Sequence, residues 1–167
     1  MLLSYFFLFT SIFSFYKQGH SLIGKIVDST LLESTKQILN VSIETISPWA
    51  DSVKKTKGYL WSRSLHYIDT PTDPENGDCD IENLDTETPN LFLALKNYSS
   101  RISDPLSRTT EDLKFFIHFY QDLFQPLHMS GIYRGGNNFP VNFFGDTSNL
   151  HSVWDYLILK KHIKEKG

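Results

Sequence analysis

His118 and Asp122 stand four residues apart, and so do His151 and Asp155. On a helix an i, i+4 pair projects both side chains from one face, which is the spacing needed to grip a shared ion. One such pair by itself would read as an ordinary surface hydrogen bond. The number of candidates shifts that reading. His128 follows Asp122 by six residues, beyond Pro126, which bends or ends a helix there. Asp51 and His66 belong to the stretches Trp49-Ala50-Asp51 and Leu65-His66-Tyr67, and His20 lies near the N-terminus. Five of the six histidines accompany an apolar helical pattern, a proline kink or an aspartate at ligand spacing. Nitrogen and carboxylate donors together suit Zn²⁺.

The elements that must position these residues are mostly helices. Leu22, Ile23, Ile26, Val27, Leu31 and Ile38 recur at helical spacing, which predicts a helix over Gly19–Asn40. Ser47-Pro48 marks a second start, with a helix over Trp49–Tyr59. Asp69–Thr88, with Pro71, Pro74, Gly77 and many acidic residues, reads as a loop, and Pro89–Tyr98 as a short helix. Thr109-Thr110-Glu111-Asp112 is an N-cap cluster ahead of an amphipathic helix running to about Phe124. Gly131–Phe144 is glycine-rich, with Val141–Phe144 a loop or short hairpin, and Ser148–Ile163 reads as the last helix. The expected class is all-α.

Composition narrows the chemistry. A chain of 167 residues with 40% hydrophobic and 14% aromatic residues suits one domain with a real core, which excludes a disulfide-stapled miniprotein and a disordered chain. A net charge of −3 argues against a broad basic face for nucleic acid. Phosphate chemistry would need positive charge from elsewhere, and a bound metal is the obvious source.

Leu2–Phe13 is apolar apart from Ser4, Thr10 and Ser11, too short for the roughly 20 residues of a membrane span. It reads as the h-region of a secretory signal over residues 1–14, in preference to a buried N-terminal helix, with cleavage after Ser14. The mature domain would then be 15–167, secreted, with Phe15 at its terminus and no membrane attachment. The sequons at Asn40 and Asn97 suit that route, and Cys79 stands alone.

Trp49-Ala50-Asp51, Leu65-His66-Tyr67, the run His118–His128 with its Gln125-Pro126-Leu127-His128 end, Gly135-Gly136-Asn137, and Asn149-Leu150-His151 with Asp155 occur in one order. Together they resemble the S1/P1 nuclease family of secreted, zinc-dependent, single-strand-specific endonucleases and 3′-nucleotidases, from about Phe15 to Ile163. The resemblance implies three zinc ions per chain. Asp51, His66, His118 and Asp122 would hold one. Asp122 would bridge to a second, held also by His20 and the backbone of Phe15, and His128, His151 and Asp155 would hold the third. Water activated between the buried zincs would attack phosphorus, with Asp51 orienting it, and the third zinc would stabilise the departing 3′-oxygen to leave 5′-phosphates. The implied substrates are single-stranded nucleic acid and 3′-nucleotides, with Tyr67 stacking on a base, Asp69 and Asn137 bonding its edge, and Lys54 touching the nucleotide. No stable protein partner is implied. Strong acid should protonate the histidines and strip the metal.

Three departures stand out. Gln121 occupies a position where relatives usually have Gly and is expected to crowd the helix contact, and Phe124 stands where they often have His. Family members also continue well past the last ligand helix, so missing C-terminal helices would leave apolar surface uncovered. A zinc phospholipase C shares the trinuclear arrangement, although Asp155 and Gly135-Gly136-Asn137 favour the nuclease. A third reading is a non-catalytic, zinc-stabilised remnant.

Overall fold

The first helix breaks where hydroxyls compete for its carbonyls. In a computed structural model describing residues 16–71, 80 and 82–166, α1 spans Tyr16–Thr30. At its end Ser29 and Thr30 donate to the carbonyls of Ile26 and Val27 at 2.7 and 2.8 Å, and Leu32 is extended at φ −62°, ψ 145°. The single helix expected over Gly19–Asn40 is therefore two, the second being α2, Glu33–Leu39, closed by Asn40 in the left-handed conformation. Residues 1–14, expected to be a signal, and Phe15 and Cys79 lie outside the described residues.

α3, Ile43–Ile46, lies against α1. Asp28 of α1 locks the pair, its carboxylate accepting from Ser42 Oγ at 2.8 Å, Ile43 N at 2.9 Å and Glu44 N at 3.0 Å. Gly24 permits the approach, since a Cβ there would sit 2.7 Å from Glu44 Cα, Ile43 O and Ser47 Oγ. Gly24→Ala is thus expected to destabilise. Alanine gains up to about 1 kcal/mol in a helix interior, but forcing α1 off α3 costs about 1–3 kcal/mol. Urea unfolding checks the sign, and a raised midpoint would mean that the two helices are not in tight contact.

Pro48 leads into α4, Trp49–Val53, after which Thr56 turns extended and its hydroxyl bonds Val53 O at 2.8 Å. The helix expected over Trp49–Tyr59 therefore stops early, and a 3₁₀ helix, Lys57–His66, takes over. The described part of 69–88 is irregular, as expected. α5 starts after the Asn90 cap and runs Leu91–Ser103, longer than expected. α6, Thr110–Asp122, carries a capping box between Thr109 and Asp112. Ala50, Leu65, Leu91, Ala94, Tyr98, Phe115 and Phe119 form the core where α4, the 3₁₀ helix, α5 and α6 meet.

The chain then turns through a 3₁₀ segment, Pro126–Met129, to an antiparallel hairpin of β1, Pro140–Phe143, and β2, Asp146–Asn149. Phe144 and Gly145 both have positive φ, at 53° and 96°, as a two-residue hairpin turn requires. Asn149 caps the final helix, which consists of α7, Leu150–Ser152, a π-helical turn, Val153–Leu157, and α8, Ile158–Lys166. The architecture is mainly helical. An apolar groove of about 500 Å³ lies between α1, α3 and α6, lined by Ile23, Val27, Ile43, Phe116, Tyr120 and Phe124 among others.

Candidate metal centre

Eight side chains from six elements converge beside the core: His20 of α1, Asp51 of α4, His66 of the 3₁₀ helix, His118 and Asp122 of α6, His128 of the Pro126–Met129 segment, and His151 and Asp155 of the last helix. None is more than 8% exposed. They make three groups able to hold an ion: His20, His118 and Asp122; Asp51, His66 and His118; and His128, His151 and Asp155. Around a tetrahedral ion with ligand bonds of about 2.0–2.1 Å, two donors lie about 3.4 Å apart. His118 Nε2 is 3.2 Å from Asp122 Oδ2 and 3.5 Å from Asp51 Oδ1, and His66 Nδ1 is 3.8 Å from Asp51 Oδ1 and 2.9 Å from Asp122 Oδ2. His151 Nε2 is 3.0 Å from Asp155 Oδ2, and His128 Nε2 is 3.6 Å from Asp155 Oδ1. Such distances leave room for an ion among the donors.

Asp122 sits at the centre. Its Oδ2 faces His66 and His118, while its Oδ1 faces His20 at 3.5 Å and His128 at 3.4 Å. One carboxylate thereby touches two sets of donors. Asp122 Oδ1, His128 Nδ1 and Asp155 Oδ2 are buried without a well-formed hydrogen bond among the described residues. Buried polar atoms without partners are costly, and a cation at the centre of these groups would satisfy them.

The donors are held from behind. His118 Nδ1 donates to Ser47 O at 2.6 Å, and His151 Nδ1 to Gly135 O at 2.7 Å, which turns each Nε2 inward. Gly135, at φ +59°, lets its carbonyl reach His151. Gln125 accepts from Leu127 N at 2.6 Å and donates to Asp155 Oδ1 at 2.5 Å. A π-helical turn, Val153–Leu157, follows His151, and across it His151 Nε2 still stands 3.0 Å from Asp155 Oδ2.

Above the donors lies a cleft of about 200 Å³ lined by His66, His128 and His151 together with Lys54, Tyr67, Asp69 and Asn137. Ile68 N donates to His128 O at 2.7 Å, and Gly131 N to Thr70 O at 3.1 Å, which fastens the Tyr67–Thr70 segment along the cleft. Arg63 and Arg134 also line it.

The family model for the S1/P1 nucleases matches residues 15–167. The chain belongs to the S1/P1 nuclease family. It is 37% identical to nuclease P1 of Penicillium citrinum over 125 residues, covering 72% of this chain and 46% of that protein. Endonuclease 2 of Arabidopsis thaliana is 34% identical over 164 residues, 86% of this chain and 56% of that one. Nuclease S1 of Aspergillus oryzae is 30% identical over 149 residues, 82% and 52% respectively. The chain spans about half the length of the curated relatives it matches.

In this S1/P1 nuclease-family chain all eight side-chain donors expected from the sequence come together, and all four expected nucleotide contacts line the cleft. His118 belongs to two donor groups instead of one. Gln121 is buried and makes hydrogen bonds to His20 and Ser47, so it binds its surroundings instead of crowding them. Sequence reasoning passed over Arg63 and Arg134. Arg63 three residues before His66 and Arg134 next to Gly135 were available signals.

The electrostatics follow from packing carboxylates and imidazoles out of water. Burial works against charge on His118 and His128, but Asp122 and Asp51 hold the first up at about 10, and Asp122 and Asp155 hold the second up at about 9. His66 goes the other way: burial, reinforced by Lys54, lowers it to about 3 against the pull of Asp122. Burial would raise Asp51 and Asp122, yet the adjacent His118, with His128 at Asp122 and Lys54 at Asp51, drives both well below the usual carboxylate range.

Proposed function

We propose that this chain is a secreted, zinc-dependent endonuclease and 3′-nucleotidase that cleaves single-stranded DNA or RNA to products with 5′-phosphates. The observation that carries the reading is the buried floor of histidine and aspartate donors at metal-binding separations beneath a cleft with an aromatic ring and three cationic side chains. The relatives' names as nucleases and endonucleases support it.

In this reading Asp51, His66, His118 and Asp122 hold one zinc, and Asp122, His20 and the backbone of Phe15 hold a second. His128, His151 and Asp155 hold the third. Bound zinc supplies a nucleophile at neutral pH and positive charge for the phosphodiester and the departing 3′-oxygen. Asp51 is the catalytic residue, accepting a hydrogen bond from the attacking water. Lys54, at the cleft, pairs with the buried Asp51 at 2.5 Å, and with the adjacent His118 it keeps that carboxylate ionised. Arg63 and Arg134 add positive charge along the cleft. Tyr67, about half exposed, stacks on a base, and Asp69 and Asn137 bond its edge. A base can reach that ring only when unpaired, which favours single strands.

The test is hydrolysis of a single-stranded oligonucleotide, the matching duplex, a 3′-nucleotide and phosphatidylcholine by the zinc-loaded chain. Failure to cleave the single strand, or preference for the lipid, would refute the proposal. Within the same assay Tyr67→Ala is expected to raise KM for single strands about 10–100-fold, since stacking contributes about 1–3 kcal/mol per base. An unchanged KM would remove Tyr67 from the substrate site.

Zinc binding should also release protons. In the metal-free chain at neutral pH, His118 and His128 are both protonated because their pKa values lie at about 10 and about 9. His66, lowered to about 3, has no proton to lose. Donor nitrogens must be neutral to bind metal, so uptake at pH 7 expels both protons. Affinity therefore rises as pH climbs through about 9 towards about 10, and falls in acid. Calorimetric zinc titrations in buffers of different ionisation enthalpy measure this release, and a buffer-independent heat would contradict it.

A further inference from the structure

Gln121 is placed between two of the donors on α6, and both ends of its buried amide are engaged. Its Nε2 donates to Ser47 Oγ at 2.9 Å, and the Ser47 hydroxyl donates onward to Ile43 O at 2.7 Å. Because that hydroxyl spends its hydrogen on Ile43, it can only accept from Gln121, and this determines which end of the amide is nitrogen. The oxygen therefore faces the other way, 2.6 Å from His20 Nδ1. A carbonyl oxygen only accepts, so Nδ1 must carry the hydrogen, which leaves the Nε2 lone pair of the neutral ring available. Nε2 is the atom that faces Asp122 Oδ1 at 3.5 Å and Asp51 Oδ2 at 3.7 Å. His20 also stacks on His118 with ring centroids 3.9 Å apart, so its plane is set while Gln121 sets its tautomer.

We infer that Gln121 is a positioning residue that holds His20 in its Nδ1–H form, presents Nε2 as the donor of the His20, His118 and Asp122 group, and so sets that group's metal affinity. His118 and His151 receive the same service from main-chain carbonyls, of Ser47 and Gly135. For His20 a side chain does it, anchored through Ser47 to the α1–α3 contact at Gly24. The inference rests on the metal-centre reading above, and its outcome is readable without turnover.

The experiment compares the full chain with Gln121→Leu and Gln121→Glu, each labelled with ¹⁵N-histidine. Long-range ¹H–¹⁵N spectra of the metal-free protein, under mildly alkaline conditions, report which nitrogen of His20 carries hydrogen. Competition with a chromophoric chelator reports zinc affinity. Wild type should show Nδ1–H. Gln121→Leu should lose that preference and weaken one zinc about 10–100-fold, as loss of a ligand's outer partner typically does. Gln121→Glu keeps an acceptor oxygen and should restore both readouts. A bare Nδ1 in the wild type would overturn the inference, as would a leucine variant with unaltered spectrum and affinity. Should the leucine variant not fold, the wild-type spectrum and the glutamate variant decide. A wild type that takes up no zinc would sink the metal-centre reading instead, and the spectra alone would then judge Gln121.

Discussion

Asp122→Asn is expected to remove metal from the two proposed zinc sites that share this carboxylate and to lower nucleic-acid hydrolysis by about a thousandfold or more, the scale seen when one member of an interdependent site is removed. The substitution preserves shape and changes little else. What it removes is the charge whose two oxygens face His66 and His118 on one side and His20 and His128 on the other. An amide offers one oxygen and turns an NH₂ towards nitrogens that need an acceptor or a cation. The third group, His128, His151 and Asp155, keeps its three donors. Metal content by elemental analysis should therefore fall without reaching zero, while hydrolysis of a single strand should collapse. A variant retaining its full metal content and activity within about tenfold would show that Asp122 does not join the groups.

Chelation should lower the melting temperature by on the order of 10 °C or more. An ion present at about a thousandfold over its Kd stabilises the folded state by about 4 kcal/mol, and in a domain of this size each kcal/mol shifts the midpoint by about 2–4 °C. The donors come from α1, α4, the 3₁₀ helix, α6, the Pro126–Met129 segment and the last helix, so an ion joins segments that are otherwise far apart in the chain. The aromatic core around Phe115 and Phe119 joins α4, the 3₁₀ helix, α5 and α6 without using any of the donors as a member, so chelation should loosen α1 and the last helix first. Thermal unfolding followed by far-UV circular dichroism, before and after chelation and with zinc restored, measures the shift. A melting temperature unmoved by chelation would mean that the groups contribute nothing to holding these segments together.

The donors were legible because local spacing carries them. His118 with Asp122 and His151 with Asp155 announce themselves as same-face pairs, and Pro126 marks the bend that brings His128 round. The start of α6 was legible for the same reason, because Thr109 caps it through a bond spanning three residues, whereas the helices expected from Pro89 and Ser148 begin two residues later, after the caps Asn90 and Asn149. Helix ends were less so. Periodicity continues past Thr30 and past Val53, yet Ser29, Thr30 and Thr56 divert carbonyls within a single turn, and an apolar count does not register that competition. The π turn at Val153–Leu157 is invisible for a related reason, because one extra residue per turn barely alters the pattern of apolar positions.

By itself, then, the sequence determined the donor types, the faces they occupy, the helical class and the family. Tertiary structure alone decided which donors meet. Asp122 reaches His66 across 56 positions of chain, and Gln121 reaches His20 across 101. Nothing in the local pattern of either residue encodes those partners. They depend on α1 being pressed against α3 at Gly24, on α3 leading directly into Ser47, and on α6 lying across both Ser47 and the core. The cleft's extra cations follow the same rule. Arg63 and Arg134 are unremarked charges in the chain, and they meet in one cleft only because the 3₁₀ helix and the glycine-rich turn both border the same histidines. Hydrogen bonding within a turn is settled by neighbours in sequence, whereas contact between distant donors is settled by how whole elements pack.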